Sequence, residues 1–363
     1  MQNNGVFEII PGQNDQGEHV FCVIAKRSYR IVPGAALQRL DADYPLRQVD
    51  EYYDRGDPEW STVEQEYELA PFKPLTDVVV VGKAYAPGDK PVSQMSVSVK
   101  VGRRIKSINV FGDRECQFCP GKLPKFTEPK PFTEMEIRYD RAYGGRDEKS
   151  VPDIPFFYPR NYMGTGVVLR NTKESIDGLM LPNLEDPNDL LTPERVVLEK
   201  PEDWPKQPMP QGFGWLQRTW YPRCTYVGAF PAFADVDTVT PEEHLGLVPQ
   251  DHIALAKQFR LPSFDARFNN GASLGMTYTA LAPDETIALK GFTAEGDLEF
   301  SLPGETPEIV LDIGRGESLL EVVLHTVNVR PDGLEVDLIW RGAQVYEGYS
   351  WWPQMKRLYA EVS

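Results

Sequence analysis

Fifteen of the chain's 32 prolines fall between Pro120 and Pro222. That crowding excludes a run of long helices from the middle of the molecule, because proline donates no N–H and its ring clashes with the preceding helical turn. The stretch from Lys122 to Trp215 carries neither a helical nor a strand period, which predicts turns and loops packed over a sheet. The chain is nevertheless not low-complexity. With 41% hydrophobic and 11% aromatic residues among 363, it has the apolar content for an ordered core beneath those loops.

Elsewhere the recurring unit is a short alternating strand. Leu324 to Gly342 reads as two strands joined by Arg330-Pro331-Asp332-Gly333, with Pro331 presetting φ and Gly333 free to take positive φ. In the return strand Leu334, Val336, Leu338 and Trp340 alternate with Glu335 and Asp337, predicting one buried and one wet face. Ser96 to Val101 alternates cleanly, and Gly102-Arg103-Arg104 turns it into a strand carrying Ile105, Ile108 and Val110. Thr286 to Lys290 and Leu298 to Leu302 form another hairpin. Val63 to Leu69 alternates with Glu64, Glu66 and Glu68, which predicts three carboxylates on one strand face.

Helical signals concentrate between Thr240 and Arg260, where Thr240-Pro241-Glu242-Glu243 has capping-box spacing. The expected fold is mostly β: antiparallel sheets, sandwich or barrel-like, with long Pro/Gly-rich loops and one or two short helices. It is read as one large domain over residues 1–363, with a subdivision near residue 225 as the alternative, although no linker-like composition marks it.

The formal charge is −16, with no Lys/Arg cluster to meet phosphates, which argues against nucleic acid and against an anionic membrane surface. Ten Asp or Glu lie between Asp41 and Leu69 against Arg47 and Arg55 alone, so this region holds half the net charge. It reads either as a solvated sheet face or as a docking surface for a basic partner. The amino terminus lacks a secretory pattern, and four cysteines are few for the length; the expectation is a reduced, cytoplasmic protein.

Candidate chemistry is sparse. Cys116-Gln117-Phe118-Cys119 has a metal or redox spacing, but no second Cys or His pair accompanies it, and Pro120-Gly121 places it in a loop. No nucleophile elbow, zinc-protease motif or phosphate-cradling loop is found. His325 reads as a satisfied strand histidine. No catalytic residue, metal ligand or cofactor emerges, which points away from an enzyme. Trp204, Trp215, Trp220, Tyr221, Trp351 and Trp352 read as core aromatics or, if exposed, as anchors for a protein or a sugar.

Several blocks, in order along the chain, resemble a bacterial domain-of-unknown-function family encoded beside type VI secretion spike proteins and their toxic effectors. They include Leu69 to Gly88 with Asp77, Val110 to Arg114 with Asp113, and Ile137 to Asp147 with Arg141, Gly144 and Gly145. Further on come Asn161 to Gly166, Leu181 to Pro187, Gly212 to Gly214, Trp220 to Arg223, Leu261 to Asn269 with Asp265 and Arg267, and Trp340-Arg341-Gly342. The chain departs from the pattern where Cys116 and Cys119 stand near an expected Trp, and between Phe230 and Arg260, which is longer and more helical. The resemblance implies an effector adaptor or chaperone that binds a type VI effector or its spike-fusion region. It implies no catalytic residues; its motif positions suit architecture, with Arg141 or Arg223 available to pair with Asp147 or Asp265.

The leading reading is thus a non-enzymatic adaptor whose protein partner is recognised through Glu64, Glu66, Glu68, Trp220, Trp351 and Trp352. The alternatives are a carbohydrate-directed enzyme or lectin-like module and a structural component of the spike.

Overall fold

The computed structural model describes residues 6–14, 16, 18–150, 155–227, 265–314, 316–346 and 359–362. The strands that organise it begin with β1 (Val6–Gln13), β2 (His19–Arg30), β3 (Gln38–Arg39), β4 (Glu51–Tyr52), β5 (Val63–Gln65) and β6 (Thr76–Val80). Next come β7 (Gln94–Val101), β8 (Arg104–Phe111), β9 (Leu184–Glu185), β10 (Thr277–Tyr278), β11 (Thr286–Lys290) and β12 (Leu298–Ser301). The carboxy-terminal part supplies β13 (Ile309–Asp312), β14 (Glu317–Leu319), β15 (Val322–Arg330), β16 (Glu335–Val345) and β17 (Tyr359–Val362).

A seven-stranded sheet runs β1-β2-β16-β15-β6-β10, with β3 added to β2. It is antiparallel except where β6 lies parallel to β15. The second sheet runs β9-β8-β7-β11-β12, and β14-β13-β17 form a third. Neither large sheet closes on itself among the described residues. The mostly β, antiparallel expectation therefore holds, as do the hairpins β7–β8, β11–β12 and β15–β16. The one described α-helix is α1 (Lys173–Ile176); the helical signals of Thr240 to Arg260 lie outside the described residues.

Both faces of β2 are covered, which is why ten of its twelve residues are buried and why its first half, Val20 to Ala25, reads as a continuous apolar run. Phe21, Val23 and Ala25 pack on Ile309 and Leu311 of β13 and Ala360 and Val362 of β17. Val20, Cys22 and Ile24 pack on Leu46 and Ile339. The largest cluster joins the two large sheets, with Val78, Val327, Val336 and Leu338 from one and Val97, Ile108, Leu289 and Phe300 from the other. The proline-rich middle builds a cluster of its own around Tyr143, Tyr158, Trp204 and Tyr221.

Three local expectations are corrected. The turn between β15 and β16 is a 3-10 turn, Pro331–Gly333, and the left-handed residue is Leu334 at φ 51°, not Gly333. The face of β16 carrying Asp337 is not wet: Asp337 is fully buried. And His325 is not a satisfied strand histidine: a bulge between Leu324 and Thr326 inserts it into β15 out of register. The bulge turns the histidine inward, where it is buried and its Nε2 meets no hydrogen-bond partner. Burial, with Lys73 and Arg341 nearby, holds its pKa well below the ordinary value.

Candidate functional site

The acidic stretch from Asp41 to Leu69 divides: Asp41, Asp54, Asp57 and Glu59 stay exposed, while Glu66 and Glu68 at its end turn inward. β5 ends at Gln65, so Glu66 and Glu68 lie past it and are buried, while Glu64 is half-buried. Both Glu68 oxygens accept the Lys26 ammonium at 2.9 Å, and Arg47 reaches the same carboxylate at 2.5 Å. Asp337 accepts the Ser28 hydroxyl at 2.7 Å and Arg330 at 2.6 Å, with Lys26 at 3.3 Å. Arg330 also pairs with Glu335 at 3.1 Å. Three cations thus meet three carboxylates, and the buried charge is locally neutral. Burial acts to raise the Asp337 pKa, but the Arg330 hydrogen bond and the Lys26 charge more than offset it, so the carboxyl sits below its ordinary value.

A second network holds Glu66. Arg223 lies 2.9 Å from it and Arg218 2.6 Å, and Arg218 also binds Asp50. Much of the region's acid therefore serves as internal counter-charge, which corrects the expectation that Glu66 and Glu68 steer a partner from the surface. Trp220 is likewise buried, packed edge-on against Tyr139 with centroids 5.3 Å apart, so it offers no platform to a partner or a sugar. Trp351 and Trp352 lie outside the described residues.

The β4–β5 pair divides two clefts. One, about 380 Å³, is lined by Tyr53, Glu64, Lys83, Arg138, Asp332 and Glu335 among others. The other, about 330 Å³, is lined by Asp50, Tyr52, Glu59, Tyr162, Gln217 and Arg218 among others. Next in sequence to Pro58 and Glu59, which line the second, stands Trp60, 45% exposed. The Arg146 guanidinium lies 4.0 Å from its ring centroid, and Phe157 stacks on it at 6.2 Å. From Phe157 the rings continue through Tyr162 to buried Trp220. An exposed Trp and an Arg anchored on a rigid core are the side chains that dominate protein contacts. Sequence reading missed Trp60. The available signal was its setting, Asp57-Pro58-Glu59-Trp60, where proline and acid keep an aromatic at the surface.

The motif residues serve as staples. Asp77, buried on β6, accepts Lys73 at 2.8 Å, Asn270 at 2.9 Å and the Gly271 N–H at 3.1 Å, tying the segment before β10 to the sheet. Arg114 pairs with Glu185 and lies 4.0 Å over Phe111. Arg141 pairs with Asp113 at 3.6 Å, and Asn183 bridges to both. Asp147 accepts the N–H groups of Lys149, Ser150 and Leu169, and Asp265 pairs with Arg267. The suggested pairing of Arg141 or Arg223 with Asp147 or Asp265 does not form; Arg223 is taken by Glu66. Gly144 and Gly145 have φ of 146° and 106°, and a Cβ on Gly144 would lie 2.1 Å from the Asn161 carbonyl. Trp340 is buried beneath Arg27 at 5.9 Å, and Arg341 lies 4.6 Å over Phe72.

Cys116 is buried and its thiol is pushed up to about 12 by burial, while Cys119 is half-exposed; a thiol held that high is a poor nucleophile. Among the described residues no three His, Cys, Asp or Glu side chains come together as a metal site, and no helix is long and apolar enough to cross a membrane.

One half-buried cation was not anticipated. Counting back by twos from Val110 puts Ile108, Lys106 and Arg104 on one face of β8, with Ile108 buried, Lys106 half-buried and Arg104 exposed. The Lys106 ammonium donates to the Gly212 and Leu274 carbonyls at 2.7 and 2.8 Å. Arg104 does the same for Thr277 and Gly275 at 2.8 and 3.1 Å. Burial lowers Lys106 to about 7, against a weaker opposing pull from Asp186.

These features define a class of protein: a β-sheet scaffold whose central loops are stapled down by buried ion pairs, with aromatic and apolar hollows at its surface. Within that class, the family described as an uncharacterized protein conserved in bacteria (DUF2169) matches residues 16–341, and the chain belongs to it. No curated protein and no solved structure matches the chain.

Proposed function

We propose that this chain is a non-enzymatic type VI secretion effector adaptor or chaperone, which binds a toxic effector or its spike-fusion region and helps load it onto the spike. The observation that carries the reading is the ordered series of sequence blocks from Leu69 to Gly342, which resembles that group of proteins along nearly the whole chain. The geometry of the surface supports it: Trp60 stacked under Arg146 beside a cleft of about 330 Å³ suits contact with another protein. In this mechanism the adaptor shields an aggregation-prone surface of the effector and positions it, with binding free energy alone doing the work.

The test is a pull-down with tagged protein from its native host, with mass spectrometry of what co-purifies. Recovery of a neighbouring toxin or spike protein in near-stoichiometric amount is the expected result. Clean isolation of the chain alone while secretion is active overturns the proposal.

A further inference from the structure

A second hollow lies where the seven-stranded sheet is incomplete. β15 pairs with β16 from Val322 onward, but with β6 only from Thr326 to Val329. β10 pairs with the other side of β6 at Asp77 and Thr76 and then runs on past it. Among the described residues, the lane that β6 occupies between its two neighbours is therefore vacant upstream of Thr76. In that vacancy is a groove of about 250 Å³, with Leu281, Leu302, Val322, Leu324, Leu338 and Trp340 among its walls. The Thr76 hydroxyl donates to the Leu324 carbonyl at 2.8 Å. Upstream of that bond the backbone of Val322 and Val323 has no strand on this side among the described residues. Val323 is 41% exposed.

We propose that this groove takes an extended segment of a partner protein, one that alternates apolar side chains with lysine or arginine. An unpaired strand edge above an apolar floor is the setting for strand addition, in which main-chain hydrogen bonds give affinity and side-chain hollows give register. The basic character follows from charge. Glu305 is among the groove's lining residues, and Asp284, Glu308 and Glu321, all exposed, flank it in sequence. Arg27, the cation paired with Glu305, is buried behind it at 3.7 Å. A segment of the opposite sign would meet these carboxylates unscreened. The inference rests on the reading that the chain binds a protein partner, and it names where and by what chemistry.

The probe is a short fluorescent peptide alternating lysine and valine, titrated with the full chain and followed by anisotropy. We expect a dissociation constant on the order of 10 to 100 µM, together with slowed amide hydrogen exchange at Val322 to Leu324. The same peptide N-methylated on alternate amides, and the variant Val323→Arg with the unmodified peptide, each weaken binding about tenfold. Val323 is exposed, so Val323→Arg keeps its fold, which circular dichroism and melting confirm. Equal binding by the N-methylated peptide, by Val323→Arg, or by a peptide with its lysines and valines in separate blocks overturns the inference, as does no binding. The pull-down separates the two claims. An effector retained by Val323→Arg sinks the groove but leaves the adaptor reading standing. No effector on the wild-type chain, with the peptide still bound at the groove, does the reverse.

Discussion

Lys26 on β2 and Lys106 on β8 are both strand lysines whose side chains turn into a core, yet the protein treats them differently. Lys26 meets two carboxylates, Glu68 and Asp337, within a set of three cations and three anions. Lys106 meets two carbonyl oxygens and the ring of Phe213 at 5.5 Å. A carbonyl dipole satisfies the ammonium hydrogens but does not cancel the charge, so desolvation dominates and the pKa falls to about 7. A partner carboxylate cancels the charge and makes the pair interdependent. The first arrangement locks two strands and a loop together through paired charges; the second holds two loops with a group that titrates near neutrality.

The strongest way to break the comparison is to remove Asp337. Asp337→Ala leaves Lys26 and Arg330 short of a counter-charge inside the sheet, and the expected cost is about 3–5 kcal/mol. Urea unfolding at neutral pH measures it, and a loss of under about 1 kcal/mol would mean the network is solvated. The pH dependence has a definite sign. A carboxyl held below its ordinary value on folding contributes stability that is present above the unfolded pKa and lost as the pH falls through the folded one. Wild-type protein therefore loses more stability on acidification than Asp337→Asn does.

Lys106→Met tests the other side with a smaller effect. Because folding lowers this lysine from 10.5 to about 7, the unfolded chain binds more protons than the folded one across that window. Wild-type stability consequently rises with pH there, by at most about 1.4 kcal/mol per unit, while below pH 7 the full burial penalty remains. Lys106→Met removes the slope. Unfolding free energies of both proteins at several pH values between 7 and 10 check it, and parallel profiles would mean that folding leaves the Lys106 charge undisturbed.

What was legible in the sequence follows from this contrast. The hairpins could be read because alternation and turn residues are local, as in β7–β8, where Gly102 takes φ 55°. The alternation of Glu64, Glu66 and Glu68, or of Glu335 and Asp337, was misread for the same reason. Local pattern marks a polar face, but whether that face meets water or three distant cations depends on segments such as Lys26, more than 300 residues from Asp337. The inward turn of His325 required a bulge, which has no compositional mark, and β2 shows no alternation because it is covered on both faces. Trp60 stands out less because the aromatics beside glycine and proline further along give the stronger signal, and most of those are core.

Trp60 and Arg146 supply a third way of holding a cation, against a ring at the surface, and the smallest stability effect. A guanidinium over an exposed indole is worth about 0.5–1 kcal/mol, so Trp60→Ala should lower stability by no more than that, within reach of a melting experiment. Its effect on partner binding is the sharper quantity. If the surface beside the 330 Å³ cleft is where an effector docks, loss of the indole costs at least about 2 kcal/mol of affinity, well beyond the stability change. Equal, small losses in both measurements would make the Trp60–Arg146 stack a local brace, and would leave the groove beside Val323 as the surface that carries recognition.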